Sequence, residues 1–273
     1  GFIRDNREKP FFLYFSTPIP HNPLQAPREL VDHYVEKFGD EPPYLGDRGY
    51  FPHRYPHAAY AAQISCLDDQ IGQMIALLKE QGLYENTLII FTSDNGPTYS
   101  GGVDAAYFNS AGPFRSDHGW GKGFLREGGI REPMIASWPG RIQPGSASGH
   151  IAAFWDILPT LCEITGVPVP GDIDGISMLP TLSGQVTQPE HEYLYWEFKP
   201  GQQAVRMGPW KGFRGKIDQG DLTIELYNLE LDPAESDNVA EAHPGIVERM
   251  EEIMETARTR PEVERFRFKE LGD

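Results

Sequence analysis

The sequence predicts an α/β chain in two parts: a mixed, mostly parallel sheet sandwiched by helices over residues 1–185, then a small antiparallel sheet plus helix over residues 186–273. Three observations lead to that expectation. Short apolar runs at 11–15, 88–92 and 133–137 have the unbroken hydrophobicity of strands covered on both faces. A stretch from about 58 to 81 sets Ile64, Leu67, Ile71, Met74, Ile75 and Leu78 at helical spacing. Beyond residue 185, β-like runs at 192–198, 203–207, 210–214 and 222–228 alternate with turns, and a charged helical pattern comes after them at about 243–259.

Taken in order, the run Phe11-Phe12-Leu13-Tyr14-Phe15-Ser16 delivers Pro20-His21-x-Pro23 at its end. A loop rich in Pro, Gly, His and Tyr covers 38–57, and a second covers 97–121; structureless loops of that length are usually functional or disordered, so substrate contacts are expected there. Asp68-Asp69 lies within the 58–81 pattern and reads as a solvated or packing-edge helix face, not a metal pair. The strand Leu88-Ile89-Ile90-Phe91 runs into Asp94-Asn95-Gly96-Pro97, at the carboxyl end where parallel sheets place chemistry. A helix at about 153–165 is closed by Gly166 and Pro168.

Composition bounds the function. The 273 residues suffice for one or two domains with a sizeable core. Lys and Arg number 24 against 40 Asp and Glu, a net charge of −16, which argues against a nucleic-acid partner and requires local cations wherever an anion binds. No apolar stretch approaches the roughly 20 residues of a membrane span. Cys66 and Cys162 are too few and too distant in sequence to outline a disulfide framework.

Asp94 and Asn95 are hard oxygen donors of the kind that suit Ca²⁺ or Mg²⁺, although Asp-Asn-Gly alone is equally a tight turn after a strand. Residues 122–133 favour the metal site over the turn. Lys122 can set an ammonium over an anion, and Glu127-Gly128-Gly129-Ile130-Arg131-Glu132-Pro133 offers two adjacent glycines for close backbone approach, bracketed by charges that seldom enter a loop core unpaired.

Together with Trp138-Pro139-Gly140, these motifs closely resemble the sulfatase family within the alkaline phosphatase superfamily. Pro20-His21-x-Pro23, Leu67-Asp68-Asp69-x-Ile71-Gly72, Asp156-Ile157-Leu158-Pro159-Thr160-Leu161, Asp174-Gly175-Ile176-Ser177, Ala204 to Lys211 and Leu226 to Glu235 extend the likeness over nearly the whole chain. The resemblance implies an alkaline phosphatase-like fold and a sulfuric ester hydrolase acting on aryl or carbohydrate sulfate esters. A phosphate or phosphonate ester hydrolase of the same superfamily, or a non-catalytic binder of sulfated glycans, are the alternatives. It makes Asp94 and Asn95 ligands of Ca²⁺, with Mg²⁺ possible, the remaining carboxylates lying upstream of Gly1. Asn95 stands where many phosphatases and phosphonate hydrolases have His, which tilts the choice toward sulfate. Lys122 and His21 are then the catalytic and substrate-binding pair: Lys122 on a sulfate oxygen, His21 on the sulfate or bridging oxygen and as general acid.

The family's nucleophile, a formylglycine made in Cys-x-Pro-Ser-Arg or a Ser version, fits neither Cys66 nor Cys162. The chain therefore reads as the C-terminal part of a longer sulfatase, whose missing N-terminal segment is its first partner and without which it is inactive and binds Ca²⁺ weakly. Glu127 and Arg131 are expected to pair with each other or with the loop, behind the site. His118, Trp196, Glu197 and Lys199 are weaker candidates for the pocket rim, and His53 and His57 for its entrance. Family members usually act outside the cytoplasm, in the periplasm, secreted or in lysosomes.

Overall fold

The computed structural model describes residues 1–198 and 201–273; Lys199, one of the rim candidates, lies outside the described residues. The chain divides into two compact units, each assembled from separate stretches. The first comprises Gly1–Ile90, Thr98–Ser110 and Ala136–Gly140, and the second Phe91–Pro97, Ala111–Ile135 and Arg141–Asp273.

In the first unit, α1 (Phe2–Asn6) is followed by α2 (Arg28–Phe38) and α3 (Pro56–Glu80). Helix α2 has Glu29 in its first turn, Lys37 in its last and Gly39 at φ 82° beyond it, charge placement and a stop that complement the helix dipole and end the helix. Helix α3 starts on Pro56, and the buried Glu41 carboxylate accepts the His57 and Ala58 N–H groups at 3.0 and 3.1 Å, satisfying donors that a helix start leaves unpaired. Leu24, Ala59 and Val103 form the buried cluster here, with Val31 and Tyr60 packed against it. Asp68 and Asp69 are exposed on α3, as a solvated face requires.

Strand β1 (Ile89–Thr92) carries the chain from the first unit into the second and pairs with β2 (Met134–Ser137) in a two-stranded sheet. Between them lies the short helix α4 (Glu127–Ile130); α5 (Ile157–Thr165) and α6 (Leu179–Leu182) come after β2. Next comes a four-stranded antiparallel sheet in sequence order: β3 (Leu194–Phe198), β4 (Gln202–Met207), β5 (Trp210–Arg214) and β6 (Glu225–Asn228). Helix α7 (Pro244–Thr256) buries Met250, Ile253 and Met254 with Val205, Ile224 and Leu226 in one core cluster, the amphipathic solution for a helix on a sheet. Among the described residues these two sheets are the only ones.

One expected strand is not a strand. Residues 10–18 adopt no regular element, and Phe12 and Tyr14 are 66% and 70% exposed. A strand needs a ladder partner, and none of the described strands pairs with this run.

Candidate functional site

Two segments far apart in sequence run together in the second unit. Just past β1, the Ser93 hydroxyl donates to the Asn95 carbonyl at 2.9 Å and tightens the turn that carries the Asp94 carboxylate and the Asn95 amide. The Gly96 N–H donates to the Gly129 carbonyl at 3.1 Å, and the Lys122 N–H donates to the Pro97 carbonyl at 3.1 Å. The Asp-Asn turn and the Lys122 segment are thus stitched backbone to backbone at both ends. Gly96 permits it: a Cβ there would overlap the Gly128 carbonyl oxygen. Asp94 is exposed, and Asn95 and Lys122 are half-buried, so each side chain keeps access to a ligand.

A buried acid lies close to the Asp94 turn. One Glu132 carboxylate oxygen is buried with no hydrogen-bond partner among the described residues. Burial first, and the negative charge of Asp94 second, push that carboxyl up to about 7. The Glu132 and Asp94 carboxylates and the Asn95 amide oxygen are hard oxygen donors of the kind that fit a divalent ion. Among the described residues no group of three or more His, Cys, Asp or Glu side chains is placed to hold a metal.

Behind Lys122 the segment is locked by buried ions. Glu127 accepts from Lys211 Nζ at 2.9 Å and lies 3.3 Å from Arg131 and 3.7 Å from Arg206, so the expected Glu127–Arg131 pair exists within a larger network. Lys211 is fully buried and also pairs with Glu235 at 3.2 Å, while the Glu127 N–H donates to Glu235 Oε2 at 2.6 Å. Burial alone would raise the Glu127 carboxyl, but Lys211, Arg206 and Arg131 hold it below the usual carboxylate range. Arg126 pairs with Glu225 and lies over the rings of Phe213 and Trp120.

His21 belongs to the first unit. Its Nδ1 lies 2.6 Å from the Asn22 carbonyl, which only accepts, so Nδ1 carries a proton and Nε2 is the atom left to act. Its ring meets Tyr50 edge to face at 5.9 Å. The buried Gln63 of α3 donates to both the His21 and Pro23 carbonyls at 3.3 Å. His53 Nδ1 accepts the Tyr55 N–H at 3.1 Å, and His57 is occupied by Glu41 at 3.0 Å, Asp104 at 3.4 Å and a stacked Tyr107 at 4.1 Å. His57 therefore serves packing. In the second unit, Trp196 packs on the cluster of Leu125, Ala204 and Phe213, Glu197 pairs with Arg258 at 3.1 Å, and His118 is exposed with its ring 5.3 Å from Phe124.

Sequence reasoning missed Gln63, Gln202, Lys211 and Glu235. Each is a polar residue whose pattern marks it for the surface; only the fold buries them.

The chain belongs to the sulfatase family: the family described as Sulfatase matches residues 1–167, and that described as N-sulphoglucosamine sulphohydrolase, C-terminal, matches residues 116–260. It is 31% identical to the N-acetylgalactosamine-6-O-sulfatase of Bacteroides thetaiotaomicron, over 95% of this chain and 49% of that protein. Human arylsulfatase A is 30% identical over 90% of this chain and 48% of its own length. The crystal structure of Ps i-CgsB in complex with k-i-k-neocarrahexaose is similar with a TM-score of 0.75 at 27% identity, covering 94% of this chain and 52% of that one. The chain thus spans about half the length of these relatives. The likeness places it in the fold of the sulfatases.

Proposed function

We propose that this chain is the metal- and anion-binding part of a sulfuric ester hydrolase for aryl or carbohydrate sulfate esters, with its nucleophile on a segment upstream of Gly1. The single observation that carries the proposal is the backbone stitching of the Asp94-Asn95 turn to the Lys122 segment, which joins two oxygen donors and an ammonium in one unit. The similarity to an N-acetylgalactosamine-6-O-sulfatase and to a structure in complex with neocarrahexaose favours a sulfated carbohydrate as substrate.

Asp94 and Asn95 would hold Ca²⁺, and Mg²⁺ accepts the same donors. Bound there, the ion supplies positive charge that polarises the ester. Lys122 Nζ binds a sulfate oxygen and offsets the charge that grows on it as the ester bond breaks. His21, its Nδ1–H spent on the Asn22 carbonyl, presents Nε2; as imidazolium it donates that proton to the departing alcohol. Glu127 touches no substrate in this scheme and holds the segment in place.

We further propose that β1 and β2 belong to a mostly parallel sheet sandwiched by helices, completed by the upstream segment over residues such as Phe12 and Tyr14, whose exposure supports it. Residues 1–185 then belong to the catalytic domain and 186–273 form the C-terminal subdomain, as the β3–β6 sheet with α7 supports. The enzyme acts outside the cytoplasm; no described helix is long and apolar enough to cross a membrane.

Parallel assays of the full-length protein on an aryl sulfate and the matching aryl phosphate test this. The expected result is sulfate turnover that chelation abolishes and that Asp94→Ala removes. Preference for the phosphate, or glycan binding with no hydrolysis, would replace the proposal by one of its rivals.

A further inference from the structure

Lys122 sits in a turn closed by the Phe124 N–H on the Gly121 carbonyl at 3.1 Å, and that turn is anchored on either side. On its N-terminal side, its own N–H is fixed to the Pro97 carbonyl at 3.1 Å. On its C-terminal side, the chain is gripped by a side chain that starts β4: Gln202 Oε1 accepts the Leu125 N–H at 2.9 Å, and Gln202 Nε2 donates to the Gly123 carbonyl at 3.2 Å. Gln202 is 4% exposed, so neither bond is exchanged readily for water. A primary amide that donates and accepts at once reproduces the pairing a neighbouring peptide would give. It holds residues 123–125 as a strand neighbour would, where no strand exists. Gly123 lies at φ 87°, and the chain turns there immediately after Lys122, so the closed turn that carries the lysine follows the placement of residues 123–125.

We infer that Gln202 is a positioning residue for Lys122: its amide fixes the peptide that comes after the lysine and thereby aims the ammonium at the bound anion. The inference rests on the reading of Lys122 as the sulfate-binding cation. Burial of Leu125 with Ala204 and Phe213 sets the depth of the segment, but apolar packing is non-directional and leaves it free to slide; the two amide bonds fix the register.

The test uses the full-length protein with three readouts: affinity for inorganic sulfate by calorimetry, aryl sulfate turnover, and the thermal midpoint. Gln202→Met keeps length and packing while removing both bonds. It should weaken sulfate binding and lower kcat/KM by about tenfold to a hundredfold, the usual cost of a displaced binding group. In a Lys122→Ala background the same change should cost less than about twofold, because the group being aimed is gone.

Gln202→Glu covers the case in which Gln202→Met does not fold. Its carboxylate still accepts from Leu125 but cannot donate to Gly123; once protonated, its O–H can. Sulfate affinity should therefore recover as pH falls, relative to wild type at the same pH. A merely structural role predicts a lowered midpoint with wild-type sulfate affinity in the folded protein, or losses that multiply with Lys122→Ala, and either overturns the inference. Wild-type sulfate affinity in Lys122→Ala itself is a different failure: it removes the reading of Lys122 and takes the positioning role with it.

Discussion

The loop that carries His21 and the segment that carries Lys122 are held by different physics. In the first unit the grip is neutral: Gln63 donates to two carbonyls at 3.3 Å, Asn22 Nδ2 donates to the Ser100 carbonyl at 3.1 Å, and Gly101 leaves room for the Asn22 and Tyr50 side chains. In the second unit the grip is ionic at its core, with Glu127, Lys211 and Glu235 buried together, and neutral at Gln202 and at the backbone bonds of Gly96 and Lys122. A neutral grip fails one bond at a time. A buried ionic grip fails at once, because removing one member strands the others without solvent, and only the ionic grip varies with pH.

The largest effect that can break this contrast is Lys211→Met, which removes the buried cation that Glu127 and Glu235 share and leaves them the longer contacts to Arg131, Arg206 and Arg126. It should cost about 3–5 kcal/mol in denaturant unfolding. Combining it with Glu127→Gln and Glu235→Gln should recover most of that loss, whereas a single-variant loss below about 1 kcal/mol would mean the ions are effectively solvated and the contrast void. Next is Gly128→Ala, whose methyl meets the Arg115 carbonyl and should cost about 1–3 kcal/mol, against less than about 0.5 kcal/mol for Gly149→Ala, which meets nothing. Equal costs at the two positions would show that the segment yields.

In the neutral region, Gln63→Met should cost about 1–2 kcal/mol in the same unfolding measurement, since two ordinary hydrogen bonds are lost without stranding a charge. A cost as large as that of Lys211→Met would erase the distinction. The smallest signal is a slope. Glu127 is held below the usual carboxylate range when folded, so its stabilisation is present above the unfolded value of about 4.3 and fades as pH falls through the lower folded value. Glu127→Gln should flatten the acid limb of the stability–pH curve, and Gln63→Met should leave its shape unchanged.

Legibility in the sequence divides along similar lines. Elements written in local periodicity are readable: the run at 88–92 is the strand Ile89–Thr92, 133–137 is Met134–Ser137, and 58–81 is the helix Pro56–Glu80. The four-stranded sheet and its helix are readable because turn residues punctuate them. Helix α2 escapes a sequence reading although Glu29, Lys37 and Gly39 mark its ends, because it has no buried residue and its polar face resembles the loops around it. Residues 11–15 mislead in the opposite direction, since apolar β-formers show that a strand is possible but not which segment will pair with it.

Among the candidate site residues, Asp94, Asn95, Lys122 and His21 are proposed from neighbours a few positions away. Gln202 cannot be: its partners lie 77 and 79 residues distant, and nothing local distinguishes a glutamine that will be buried. Lys211 is similar: a lysine is ordinarily solvated, and the fold makes this one fully buried between Glu127 and Glu235.

Whether the clamp built by Asp94, Asn95 and Lys122 works with a nucleophile upstream of Gly1 is tested most directly by a mass-spectrometric peptide map of the natural polypeptide that contains these 273 residues. The expected result is a longer chain whose upstream peptides include a formylglycine in a Cys-x-Pro-Ser-Arg or Ser-x-Pro-Ser-Arg setting. A natural polypeptide that starts at Gly1 with no companion chain would contradict it, leaving the sulfatase fold in place and removing the ester hydrolysis.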